Sequence, residues 1–399
     1  MTEMHHPREV FDLTGHEAAE EAFEATRARG RLHHAWLLTG PEGAGKATFA
    51  YRAARRLLGA PPDPAHGVLG ANPDHPVSRQ IIARSHPDLF VLERVGEDGK
   101  VRKVIPVDEA RGLSEFFSKS PASAPHRVAI IDAVDDLNTN AANAILKTLE
   151  EPPPHGVLLM VSHSPGRLLP TIRSRCRLVT LTTPSADEVA GFLTRVEGID
   201  PALASYCARA SQGHIGRARA LARDEGARHR RKEVVSMPAG LTSLAACMNA
   251  AQNLVETTQE EADLITGALD ARERADLDTS YGVVERGRRP REYAPAAAAL
   301  ERAQKTRAKR RHLDVVDRGL MDLVSVYRDA IAVATGGGGT LVNEEIRHDI
   351  DQLVRTSSPE LNLRRIGWIF DAREQMLEFN VPVPLALESL MVSLKMPAR

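Results

Sequence analysis

Three places in the sequence combine residue types and spacing that could do chemistry. The first is GPEGAGKAT, where Gly40, four further residues, Gly45 and Lys46 have the spacing of a phosphate-binding loop. Glycines there let backbone N–H groups wrap a phosphate, the helix that follows adds positive potential, and the lysine reaches the outer phosphates. Gly40, Gly43, Gly45 and Lys46 are therefore the candidate phosphate ligands. Such a loop normally carries a hydroxyl directly after its lysine to hold magnesium, and here that residue is Ala47. Thr48 keeps a hydroxyl one residue late, about 100° further round a helix. The second place is a pair of apolar runs, Val128–Ile131 and Val157–Val161, ending at Asp132 and Ser162. Strand ends of this kind are where an open parallel sheet presents its chemistry. The third is IRSRC, which sets Arg173 and Arg175 on a surface turn.

The elements that must position these residues follow from periodicity. Ala35–Thr39 is a buried-strand pattern feeding the glycine loop, with a helix expected from Phe49 to Leu58. Between the two later strands, Ala141, Ile145 and Leu149 share one helical face. Glu17–Arg29 reads as an amphipathic helix stopped by Gly30. The stretch 59–84 is rich in Pro, Gly, Ala and His and reads as a loop with a short helix near Val77–Arg84. A strand is expected within His86–Val95, a polar turn at Gly96–Lys103, and a helix over Val107–Lys119 opened by Asp108. Ser185 and Glu188 form a capping box for a run of helices with loops at Gly198–Pro201 and Gln212–Gly216.

Composition bounds the class. At 399 residues the chain is long enough for two or three domains. Lysine plus arginine (52) nearly cancel aspartate plus glutamate (53), so any nucleic-acid contact must come from local patches. Three widely spaced cysteines, Cys176, Cys207 and Cys247, fit neither a disulfide framework nor a four-thiolate zinc site. The start, MTEMHHPREVFD, has no apolar core of signal-peptide length, and no run approaches roughly 18 uninterrupted apolar residues. The expectation is a soluble cytoplasmic protein with no membrane partner.

Arg127–Cys176, with LKTLEEPP followed by LLPTIRSRC, closely resembles the AAA+ core of the clamp-loader subunits of bacterial DNA polymerase III. The resemblance is specific for residues 30–180, fair for the helices that follow and only general beyond them. It implies an α/β AAA+ P-loop parallel-sheet domain over 1–183, a small helical lid over 184–225, and an all-α C-terminal collar over 226–399. Residues 256–312 would be a long helical or mobile insertion. In this class a second acid usually follows the one at the strand end to orient the attacking water. Here Asp132 is followed by Ala133, with Asp135 and Asp136 the nearest substitutes. The resemblance makes Arg175 an arginine finger reaching ATP on a neighbouring subunit, a role suited to a permanently charged, forked guanidinium. The plain alternative is a surface arginine paired with a nearby carboxylate. It also makes Ser162 a nucleotide sensor and puts Arg217, in GHIGR, near a second sensor position, displaced from the motor pattern.

The family's four-cysteine zinc module is expected to be absent, because no cysteine precedes Cys176. His66, His75 and His86 are a residual metal cluster or, more simply, solvated loop histidines. No cofactor is required on this reading, although ATP with magnesium could be bound without hydrolysis. The implied partners are the motor (gamma/tau) and delta subunits, with the sliding clamp and primer-template DNA in the complex. The expected role is a non-hydrolysing stator. Its rivals are an active gamma/tau-like motor ATPase and a P-loop phosphotransferase. Glu256–Ala275 is acidic while Arg286–Arg291 and Lys305–His312 are basic, which reads most simply as exposed helix faces around a mobile loop near Pro290 and Pro295.

Overall fold

The computed structural model describes residues 6–395 except 42, 94–104, 106, 167, 282–289, 292 and 338. The expected turn at Gly96–Lys103, Val95 and most of Arg286–Arg291 lie outside the described residues, as does the side chain of Asp108. The chain divides into two compact units, Met1–Arg223 and Asp224–Arg399.

In the first unit the described strands are β1 (Ala35–Thr39), β2 (Leu89–Glu93), β3 (Arg127–Asp132), β4 (Gly156–Val161) and β5 (Arg177–Thr180). They form one parallel sheet in the order β2-β3-β4-β1-β5. Alternate strand residues feed opposite layers, as the pleat requires. Trp36, Leu38, Val128, Ile130 and Leu159 pack against α1 (Glu17–Ala28), α2 (Lys46–Leu57) and α3 (Pro76–Ile82). Leu37, Ala129, Ile131, Leu158 and Met160 pack against α4 (Val107–Phe117), α5 (Thr139–Glu150) and α6 (Pro170–Arg173). Because both faces are covered, β3 and β4 read as near-continuous apolar runs rather than alternating ones. The unit closes with α7 (Ala186–Glu197), α8 (Pro201–Ser211) and α9 (Ile215–Arg223), the first opened by the Ser185–Glu188 capping box.

One expectation is corrected here. The helix after the glycine loop begins at Lys46, not Phe49, because Gly45 in the left-handed region (φ +84°) turns the chain straight into it. The loop after α2 also has a buried organiser. Arg52 donates to both carboxylate oxygens of Glu20 at 2.6 and 2.9 Å and to the His66 carbonyl at 2.8 Å, while the Leu69 N–H donates to Glu20 at 3.2 Å. The loop histidines have local partners: His66 pairs with Asp12 at 2.9 Å, His75 caps α3, and the His86 ring accepts from the Asp88 N–H at 3.1 Å. Among the described residues no three potential ligands are grouped to hold a metal.

The second unit is all α: α10 (Glu225–Gly240), α11 (Leu244–Ser280), α12 (Tyr293–Ala334), α13 (Arg347–Thr356), α14 (Pro359–Leu377) and α15 (Val383–Lys395). Its core joins Val235, Leu254, Val316, Leu320, Leu323 and Tyr327 to residues of α13, α14 and α15. The described parts of the charged region 256–312 belong to an antiparallel pair of long helices, α11 and α12, and Pro295 lies in the first turn of α12, where its missing N–H costs no helical bond. The opposite charges meet across the pair. Arg307 contacts Asp270 and Glu273, and Arg318 pairs with Glu261 at 2.8 Å. Part of what reads in sequence as two exposed charged faces is therefore an internal complement.

Candidate functional site

β3, β4 and β1 are neighbours, so the carboxyl ends of these strands bring Asp132, Ser162 and the glycine loop side by side. The loop is tightly fitted. Gly40, at φ +140°, lies so close to β5's exit that a Cβ would sit 2.1 Å from the Leu181 carbonyl oxygen. At Gly43 a Cβ would meet the His214 ring at 2.3 Å, and at Gly45 the Leu13 side chain at 2.5 Å. Lys46 is 3% exposed and donates to the carbonyls of Gly40 and Pro41 at 2.7 and 2.6 Å. Buried His16 contacts the Ala44 carbonyl through Nε2 at 2.8 Å, and burial lowers its pKa. The loop thus keeps the backbone curl and lysine that could hold a phosphate.

Where magnesium chemistry would be done, the groups are fewer. Ala47 and half-buried Thr48 occupy the first turn of α2, and Thr48 stands two residues after Lys46, about 200° round the helix. Asp132 ends β3, and burial is the main reason its pKa is raised, against the opposite pull of His163, His6 and Lys46. Ala133, 3% exposed, offers no carboxylate beside it. Asp135, on the turn after β3, is engaged elsewhere: it accepts from the Ser162 hydroxyl at 2.8 Å and from the His163 N–H at 2.5 Å. This contact, 27 residues apart in sequence, ties the sensor candidate to the strand-end turn and was not readable from either residue alone. Neither was the seating of His214 on Gly43.

Arg217 lies in the first turn of α9, its N–H donating to His214 Nδ1 at 3.2 Å. His214 is the residue of GHIGR seated against Gly43 of the loop.

Arg175 is elsewhere. It follows α6 and precedes β5, whose Arg177 is in register with Trp36 near the start of β1. The glycine loop leaves the opposite end of β1, at least about 10 Å away along the strand. Arg175's side chain is 37% exposed, pairs with Glu150 at 3.0 Å and donates to the Thr171 carbonyl at 3.1 Å. Cys176 beside it donates its thiol to the Ile172 carbonyl at 3.0 Å and is pushed up to about 12 by burial, so it stays protonated.

A five-stranded parallel sheet of this order, with a glycine loop after β1 and an acid closing β3, is the P-loop domain of an AAA+ protein. The family model described as "DNA polymerase III, delta subunit" matches residues 15–185. The DNA polymerase III subunit delta' of Pseudomonas aeruginosa is 35% identical over 57% of this chain and 66% of its own length. The DNA polymerase III subunit gamma of Buchnera aphidicola is 32% identical over 49% of this chain and 52% of its own. A solved structure, a DNA polymerase III gamma subunit-related protein from Thermotoga maritima, aligns with 95% of this chain at 16% identity and a TM-score of 0.44. The chain thus spans between half and two thirds of the length of these curated relatives. It belongs to the clamp-loader family.

Proposed function

We propose that this chain is a delta-prime-like stator of a bacterial clamp loader, which holds one end of a ring of subunits and presents Arg175 to ATP bound by a motor neighbour. The observation that carries this reading is the separation of a partly exposed Arg175 from the chain's own glycine loop by the length of β1. A guanidinium so placed cannot serve the same chain's nucleotide, and its pairing with Glu150 is the exposed, exchangeable kind. The loss of two groups from one reaction supports the same conclusion. Ala47 removes a magnesium ligand, Ala133 removes the water-orienting acid, and Asp135 is already committed to Ser162. Losing such a group commonly costs factors of order a hundred or more. Nucleotide could still be held by the backbone of residues 43–46 and by Lys46, and bound magnesium would supply charge neutralisation on its phosphates.

The partners on this reading are gamma/tau-type motors and a delta subunit, acting on a sliding clamp and primed DNA in the cytoplasm. No described helix is long and apolar enough to cross a membrane. The match to a gamma subunit favours one alternative, a hydrolysing motor. The purified chain discriminates between them: the stator has no magnesium-dependent ATP turnover above background, and robust turnover by the isolated chain would contradict it.

A further inference from the structure

Residues 301–312 of α12, ERAQKTRAKRRH, hold six arginines or lysines against one acid. Arg307 turns inward onto Asp270 and Glu273 of α11. Arg302, Lys305 and Lys309 are exposed. At i, i+3 and i+7 they fall on one line along the helix, about 10 Å long. Of the exposed positions beside that line, Ala298, Ala299 and Thr306 are small and Glu301 is the one acid. The stretch also lies outside the core of its unit, which takes α12 residues from Val316 onward.

The local bonds of these cations are weak holds. Lys305 pairs with Glu301 at 2.8 Å within its own helix, both side chains being more than half exposed. Arg302 gives its Nε to the Ala298 carbonyl at 3.1 Å. Solvent-screened contacts of this type exchange readily for a phosphate.

We propose that this face of α12 is a contact surface for the phosphate backbone of duplex DNA. A line of cations flanked by small residues supplies charge without the aromatic and apolar anchors on which protein interfaces depend. A phosphate backbone is held by charge in that way, without reading sequence. Each strand of a duplex presents a phosphate about every 3.4 Å of axis, so a line of about 10 Å runs past two or three. The exposed acids of α11, Glu260, Asp263 and Asp276, repel the same polyanion and set which edge of the helix pair it meets. The choice of DNA as ligand rests on the clamp-loader reading; the surface does not involve Arg175.

The test is fluorescence anisotropy of the full-length chain with labelled duplexes of about 20 base pairs in two unrelated sequences, from roughly 50 to 200 mM salt. The wild type binds both alike, with a log–log salt slope near about −3. The Arg302→Gln, Lys305→Gln, Lys309→Gln variant, with helicity unchanged by circular dichroism, loses about tenfold in affinity at the lowest salt and most of that slope. Should the triple variant lose helicity, Lys309→Gln alone lowers the slope by about one. Glu260→Gln with Asp263→Gln binds at least as well as wild type. Absence of salt-dependent binding by the wild type overturns the proposal. So does unchanged affinity and slope in the triple variant, which would leave an acidic protein partner or a merely solvated face. These outcomes are separate from those of the stator reading, because Arg175→Ala leaves this binding intact.

Discussion

Single residues in the glycine loop are constrained by what they touch as much as by what they could bind. Gly40 combines a φ of +140° with a backbone carbonyl where its Cβ would go, and neither demand can be met by a side-chain shift. Gly40→Ala should therefore destabilise the first unit by about 2–4 kcal/mol, read as a lowered urea midpoint with no change in slope. A variant as stable as wild type would contradict the close approach to Leu181. The phosphate-loop spacing was legible in sequence because it is local. The hold of Asp135 on Ser162 and the packing of His214 on Gly43 were not, since each joins segments distant in sequence, and the burial of Lys46 against its own loop depends on how that loop curls.

At the scale of elements, the sheet was readable where a strand is buried on both faces: Ala35–Thr39, Arg127–Asp132 and Gly156–Val161 are short, near-continuous apolar runs without polar alternation. Short or charged helices were harder. α13, RHDIDQLVRT, is ten residues long and sets only Ile350, Leu353 and Val354 against the core, too short a stripe to stand out among its charges. The long pair α11–α12 was obscured by a proline at its start and by charges that turn out to face each other. The loop between α2 and α3 reads as irregular but is held by one buried ion pair, Arg52 with Glu20. Removing one partner strands the other's charge, so Glu20→Ala should cost about 3–5 kcal/mol. It should also raise amide exchange across residues 60–75 before the rest of the first unit, whereas uniform exchange would show that the pair does not organise the loop.

For the molecule as a whole, histidines set the response to acid. Burial, aided by Arg8 and Arg84, pulls His6 down to about 4, and burial lowers His16, His34, His86, His126 and, in the second unit, His312. In the unfolded chain these rings titrate near about 6.5. Between the folded values and that point the unfolded state binds more protons, so stability is full above about pH 6.5 and falls as pH drops toward about 4. Asp132, raised by burial, acts in the opposite sense but is a single group. The thermal midpoint should rise from pH 5 to pH 7, and a flat profile would contradict the burial of these rings. The central claim also belongs at this scale: on the proposed stator reading, the chain acts on ATP bound by a neighbour. The most direct measurement is DNA- and clamp-stimulated ATP turnover in an assembly reconstituted with motor and delta subunits, comparing wild type with Arg175→Ala in this chain only. The stator reading predicts a loss of turnover of about a hundredfold or more at that interface with assembly intact; unchanged turnover in a fully assembled complex would contradict it.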